Sequence, residues 1–507
     1  MARYKTVDRS PRFLPIVLDA QLMAGSFEYA LDYLIDNEVD LSGVANRYCN
    51  DETGAPAYDP AVMLKIVLLA YSRGIVSSRG IERVCRENVL FMAISGDSAP
   101  QFTTIAKFIR ELGDEVTAIF TQVLLICDRQ GLIGRQMFAI DGVKLPSNAD
   151  KRRSGTRTEL EHEAERMESA VVQLLKVHRS RDERGDAAED ETRNAERIER
   201  LQTEAQRIRR FLATHDERRS DKGTIRKSNV TDNDSAKMAT SKGVIQGYTA
   251  VAAVDAQAQV IVAAQAHGSG SEQGILLPMV KKTDAIRTGQ TMITADAGYH
   301  SEANLQALYE HEVPALIADG LMRRRDARFA DQRRYKALPD PLYDKQAPGK
   351  RPETKFLPKD FSYDPASGIC LCPAGKKLYS TGSSCSTNGR KHHKFQGAKR
   401  DCVPCSLREQ CLRHPDRTAT RQVIFFEKNQ NSPLLYTERM KQAIDSDRGR
   451  ALYGRRIAIV EPVFGNLRHN KRLDRFTLRT QPKVNTQWNL YCMVHNIEKL
   501  AHHGYGT

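Results

Sequence analysis

The sequence predicts an α/β fold: a mixed-sheet core, a helical amino-terminal region ahead of it, and two insertions, one a helical hairpin and one rich in cysteine. Three observations carry this prediction. Apolar residues recur at helical spacing up to about residue 125, the period shortens to strand-like runs from residue 137, and six of the ten cysteines crowd into residues 370–411. With 507 residues, 40% hydrophobic and 28% charged, the chain reads as several folded domain equivalents, which excludes a disordered or fibrous protein.

Residues 1–125 form the helical region. Asp59-Pro60 supplies a cap and a first-turn proline for a helix through Met63, Ile66, Val67 and Ala70. Ser77-Ser78 would cap a second through Ile81 and Val84, and Thr103-Thr104 a third through Ile105, Phe108 and Ile109. Short helices joined by tight turns suit a helix-turn-helix-like DNA reader, and equally a packing or dimerisation domain.

The core spans residues 130–320 and resumes at 451–507. Met137-Phe138-Ala139-Ile140 reads as a buried strand ending at Asp141-Gly142. Residues 248–255 and 259–265, joined by Ala256-Gln257-Ala258, predict an antiparallel hairpin. Strands over 291–295 and 314–318 follow, with helices over 272–286 and 301–311, and the chain closes on a helix over 484–500.

The first insertion, residues 151–220, carries 17 basic and 16 acidic residues, so it does not behave as a repelling tail. Leu160, Ala164, Met167, Val171 and Leu174, then Ile198, Leu201, Ala205, Ile208 and Leu212, step by threes and fours; with a reversal near Gly185 they predict a helical hairpin, a candidate for self-association. The second insertion, residues 321–450, is loop-rich and basic, with 22 basic and 10 acidic residues over 321–420. Charge is unevenly divided: residues 1–320 carry a net −6 and residues 321–507 a net +20. A basic field confined to one region attracts polyanions, and nucleic acid is the expected partner.

The densest apolar run, 63–71, is short and contains Lys65, so no membrane span is expected. The first twenty residues lack a secretory pattern, and a cytoplasmic protein is expected, nucleoid-associated if bacterial. Without a secretory signal the cysteines argue against a disulfide framework. Cys372, Cys402, Cys405 and Cys411, which include the tight pair CVPC, are the preferred set for a structural Zn²⁺, with Cys370, Cys385, His392, His393 or His414 able to replace a member.

Asp141 and Asp296 each follow a short apolar run, where a carboxylate at the rim of a sheet can hold a hard cation. In YGRRIAIVEPVFGNLRHNK, residues 453–471, helical spacing puts Ile457, Val460, Phe464 and Leu467 on an apolar side with Glu461 beside it. Pro462 would kink such a helix or begin a new one. Taken singly, each acid reads as a turn, cap or surface residue.

Together, IDGVK at 140–144, ADAGY at 295–299 and the segment Tyr453, Arg456, Glu461, Arg468 resemble the DDE transposases of bacterial insertion sequences, in the group marked by a Tyr-Arg-Glu-Lys signature. The likeness spans most of the chain. It departs at Arg468, which stands in the place of the signature lysine, and at the Arg456-to-Glu461 gap, one residue longer than usual. The resemblance implies a ribonuclease H-like core in which Asp141, Asp296 and Glu461 converge as the catalytic acids and hold two Mg²⁺ or Mn²⁺ ions. It implies metal-dependent cleavage of the element's terminal inverted repeats and their joining to target DNA. Tyr453, Arg456, Arg468 and Lys471 would then contact double-stranded DNA, with Lys237 and Lys242 as further backbone contacts. A homo-oligomer, expected to be a dimer, follows from handling two ends. The alternatives are a DNA-binding regulatory or architectural protein that has lost catalysis, and a nuclease of the same fold.

Overall fold

The amino-terminal helices form where the sequence supplies caps. In the computed structural model α1 (Phe27–Asn37) starts at Ser26, α2 (Pro60–Ser72) at Asp59 with a proline in its first turn, and α3 (Ser78–Glu87) at Ser77. They are followed by α4 (Val89–Ser95), α5 (Phe102–Glu111) and α6 (Glu115–Arg129). The cap expected at Thr103-Thr104 falls inside α5, which begins after Gln101. Helix α2 is buried along most of its length, and its single charge, on Lys65, is held by Asp32 at 2.7 Å and Asp36 at 2.8 Å.

The structure describes residues 15–48, 56–182, 191–219, 223–240, 243–329, 355–387, 390–426 and 435–506. They divide into two compact units, one of residues 1–344 with 435–507 and one of residues 345–434. In the first unit, β1 (Met137–Pro146), β2 (Ala236–Thr240), β3 (Gly243–Asp255), β4 (Ile261–His267), β5 (Met292–Ala295) and β6 (Ala315–Ile317) form one mixed sheet. Its order is β2-β3-β1-β5-β6, with β4 also paired to β3. Strand β3 runs antiparallel to β1, β2 and β4, whereas β1, β5 and β6 are parallel to one another. This mixed sheet with its many helices fits a ribonuclease H-like fold.

Several boundaries differ from the sequence reading: the strand expected over 248–255 starts at Gly243, and the segment 321–450, read as loop-rich, holds a five-stranded sheet. Strand β1 does not stop at Asp141-Gly142 but runs on to Pro146, because Asp141 pairs with Ala252 and Gly142 with Val251 of the long strand β3. The helix expected over 272–286 is the shorter α9 (Leu276–Lys282), preceded by a single 3₁₀ turn at Gln273–Ile275. Helix α10 (Glu302–Glu310) lies between β5 and β6 in sequence. In the first insertion, α7 (Arg157–Asp182) and α8 (Glu191–Thr214) pack through Leu160, Ala164, Ile208, Phe211 and Leu212; Gly185 lies outside the described residues.

After the second unit the chain returns as α11 (Tyr436–Asp445), α12 (Asp447–Gly465) and α13 (Gln481–His502). Helix α13 is buried in the core shared by the amino-terminal helices and the sheet. Trp488 Nε1 donates to Val251 O at 3.0 Å. The Asn496 amide accepts from Ile261 N–H at 2.8 Å and donates to Ile261 O at 2.9 Å, so side chains of α13 occupy backbone groups along β4.

Helix α12 runs straight through Pro462 rather than starting there. A proline lacks the N–H that would reach the carbonyl four residues back, here Ala458. That carbonyl instead accepts from Gln259 Nε2 at 3.1 Å, and Gln259 sits in the β3–β4 turn with φ +60°. A π-helical turn, Asn466–Asn470, follows.

The second unit is a five-stranded antiparallel sheet of β7 (Ser362–Asp364), β8 (Ile369–Leu371), β9 (Lys377–Thr387), β10 (Arg390–Gln396) and β11 (Gln422–Phe426), paired in chain order. Its small core is Phe361, Cys370, Leu378, Phe395 and Val423.

Candidate active site

The register of the parallel pair β1–β5 sets the site. Ile140 is the partner of Ala295, so the next residues, Asp141 within β1 and Asp296 just past the end of β5, lie level with each other, although 155 residues separate them in sequence. Asp296 caps the 3₁₀ turn Ala297–Tyr299, with its Oδ1 accepting from Gly298 N–H at 2.6 Å. Asp141 Oδ1 accepts from Gly142 N–H at 2.8 Å, and its Oδ2 is paired with Arg456 Nη1 of α12 at 2.9 Å. Burial raises the Asp141 carboxyl above its ordinary value; the Arg456 guanidinium opposes this and the Asp296 charge adds to it.

Glu272, between β4 and α9, stands in the same field. A Cβ built on Gly298 would lie 2.0 Å from Glu272 Oε2 and 3.0 Å from Asp296 Oδ1, so those two oxygens are no farther apart than the sum of the two distances. Burial pushes the Glu272 carboxyl up to about 7, with the charges of Asp296 and Asp141 adding to the shift and Lys144 opposing it. Sequence reasoning missed Glu272, which belongs to no motif and precedes a helix only seven residues long. Tyr299 is 0% exposed and its hydroxyl has no hydrogen-bond partner among the described residues. Burial raises its pKa, as do the facing charges of Glu272, Asp141 and Asp296.

The other sequence candidates are spread over the molecule. The inward side of α12 is Ile459, Val460 and Val463, whereas Ile457, expected on the apolar side, is 39% exposed. That rotation turns Arg456 toward Asp141. Glu461, five residues on and about 140° around the helix, is exposed. The Tyr453 ring lies 5.8 Å from the Arg456 guanidinium and is half-buried. Arg468, in the π-helical turn, has a buried Nε without a partner among the described residues. Lys471 is 5% exposed and paired with Glu498. Lys237 is exposed on β2, and Lys242 lies outside the described residues.

In the second unit Cys372, Cys402, Cys405 and Cys411 line one cavity of about 40 Å³ together with Arg421. Burial pushes the Cys411 thiol up; Arg421 opposes the shift, and Cys402, Cys372 and Cys405 add to it. Cys370 is fully buried in the apolar core, away from such a role. As placed, no three His, Cys, Asp or Glu side chains among the described residues stand close enough to chelate an ion. The donors fit in kind: oxygens at the sheet end for a hard divalent cation, thiols in the second unit for zinc.

Two family models match the chain. One, described as a transposase DDE domain, covers residues 371–501, which include the cysteine cluster and Tyr453 to Lys471 but neither aspartate. The other, described as a transposase domain (DUF772), covers residues 16–111, from before α1 to the end of α5. No curated protein and no solved structure matches. The two matches support a DNA transposase, a DNA-processing enzyme of a kind that typically uses Mg²⁺ or Mn²⁺. No helix among the described residues is long and apolar enough to cross a membrane.

Proposed function

We propose that this chain cuts the terminal inverted repeats of its own insertion sequence and joins them to target DNA, with Asp141, Asp296 and Glu461 as the catalytic acids. The observation that supports the reading is the side-by-side placement of Asp141, within β1, and Asp296, just past the end of the adjacent parallel strand β5. When bound there, a pair of Mg²⁺ or Mn²⁺ ions would activate the attacking oxygen and neutralise the leaving one in an in-line displacement.

The protein's own residues do the rest. Arg456 neutralises Asp141 in the metal-free site. The Arg456 guanidinium, beside Tyr453, would offer a bidentate contact to a backbone phosphate. Glu461 is exposed on α12 in this structure and would have to swing toward the aspartates to join them. Arg468 and Lys237 add cationic contacts to the duplex; Lys471 does so only after leaving Glu498. Zn²⁺ on Cys372, Cys402, Cys405 and Cys411 orders the second unit, whose own apolar core is small. Two ends handled together call for a homo-oligomer, a dimer being the simplest.

The test incubates the full chain with Mg²⁺ and labelled end DNA, comparing wild type with Asp141→Ala, Asp296→Ala and Glu461→Ala. Joined products from wild type, lost in each variant, support the reading. Cleavage without joining identifies a nuclease, and binding without any metal-dependent product identifies a catalytically inactive DNA-binding protein.

A further inference from the structure

Resting on that reading of the aspartates, we propose that Glu272 is an additional carboxylate ligand of the divalent-cation site, with the Tyr299 hydroxyl positioning the carboxylates around the ion. Three observations carry it. Glu272 Oε2 and Asp296 Oδ1 lie 2.0 Å and 3.0 Å from where a Cβ on Gly298 would be, so the glycine leaves room that a side chain would take from the Glu272 carboxylate. The Tyr299 hydroxyl is wholly buried, lacks a hydrogen-bond partner among the described residues, and stands 3.2 Å from where a Cβ on Gly142 would be, directly after Asp141. It faces the charges of Glu272, Asp141 and Asp296 at once. A buried hydroxyl left without an acceptor is costly, and closure of the carboxylates on a cation would supply one.

Charge leads to the same place. With Glu272 ionised, three carboxylates meet two cationic side chains, Arg456 paired with Asp141 and Lys144 near Glu272, which leaves a net negative charge in a half-buried site. A hard divalent cation is the counter-charge that oxygen donors of this kind select. Glu272 is well suited to the task because it comes from the β4–α9 connection, a third chain segment beside the two strands, so ligands would approach the ion from separate directions.

The experiment measures Mn²⁺ binding to the full chain by electron paramagnetic resonance, without DNA, for wild type, Asp141→Asn, Asp296→Asn, Glu272→Gln and Tyr299→Phe, with thermal melts of each. We expect Glu272→Gln to weaken Mn²⁺ binding about tenfold or more, and Tyr299→Phe to weaken it less, with melting unchanged for Glu272→Gln. If Glu272→Gln binds Mn²⁺ like wild type while the aspartate variants lose it, the role of Glu272 is overturned and the transposase reading stands. If wild type binds no Mn²⁺, or the aspartate variants bind it fully, both are overturned. Should Glu272→Gln melt early, Glu272→Asp decides: a shortened carboxylate retaining the fold and part of the Mn²⁺ affinity supports ligation, and one retaining the fold with no effect on affinity overturns it.

Discussion

Replacing Gly298 by alanine separates the architecture of the site from its chemistry. The residue is not in the left-handed region, so alanine fits the backbone, but the new methyl would stand 2.0 Å from Glu272 Oε2 and 3.0 Å from Asp296 Oδ1. Ordinary contact needs roughly 3.5 Å, so the Glu272 carboxylate must retreat by about 1.5 Å. That carboxylate ends a flexible side chain, and the fold should lose no more than about 1 kcal/mol. A displacement of about 1 Å at reacting groups can cost on the order of 100-fold in rate, and a loss of that size in Mg²⁺-dependent cleavage of end DNA is expected. Cleavage rates at saturating Mg²⁺, set beside denaturant unfolding of the same preparation, measure both quantities. Full activity in a stable Gly298→Ala protein would refute the reasoning, because the close approach of the two carboxylates would then serve nothing in the reaction. A loss of stability of several kcal/mol would refute it differently, by making the glycine structural.

Other outcomes follow from the same geometry. Arg456→Gln leaves the largely buried Asp141 carboxylate without its partner and should cost about 2 kcal/mol of stability, recovered on adding Mn²⁺; a loss indifferent to Mn²⁺ would mean that Asp141 is not a metal ligand. His495 is buried, bonded to Gln259 O at 2.9 Å, and burial lowers its pKa from 6.5 to about 4. The fold therefore holds it neutral while the unfolded chain protonates below about pH 6.5, so its contribution is complete above that pH and declines as pH falls towards 4, by about 3 kcal/mol in all. Denaturant unfolding at pH 7 and pH 4.5 should show the decline, and His495→Gln should flatten it. Metal analysis should find about one zinc per chain, released by Cys411→Ser; a zinc-free wild type that is fully folded would remove zinc from the account of the second unit. Gln259→Ala deprives the Ala458 carbonyl of its donor and should cost about 1 kcal/mol, read from unfolding curves.

The strands were legible because their apolar runs are short and bounded, and the caps at Asp59 and Ser77 because their side chains satisfy helix N–H groups locally. Asp296 lies where its apolar run suggested, just after β5, whereas Asp141 sits inside β1, level with it through the pairing of Ile140 with Ala295. The orientation of α12 was not legible. Its sequence offers two overlapping apolar stripes, and tertiary packing chose Ile459, Val460 and Val463, which turned Arg456 inward and Glu461 outward. The length of β1 was equally hidden, since Asp-Gly is a turn signal that pairing with β3 overrides. Glu272 gave no local signal at all, because its neighbours in space come from Gly298 and Asp296, more than twenty residues later.

The placement of α13 has a consequence in time. Its side chains serve backbone groups of β3 and β4, strands synthesised more than two hundred residues earlier, and it fills the middle of the core that those strands share with the amino-terminal helices. Until that helix has left the ribosome, Val251 O and the Ile261 backbone lack the side-chain partners that Trp488 and Asn496 supply. Products terminated before α13 thus carry both aspartates on a core whose centre is unfilled.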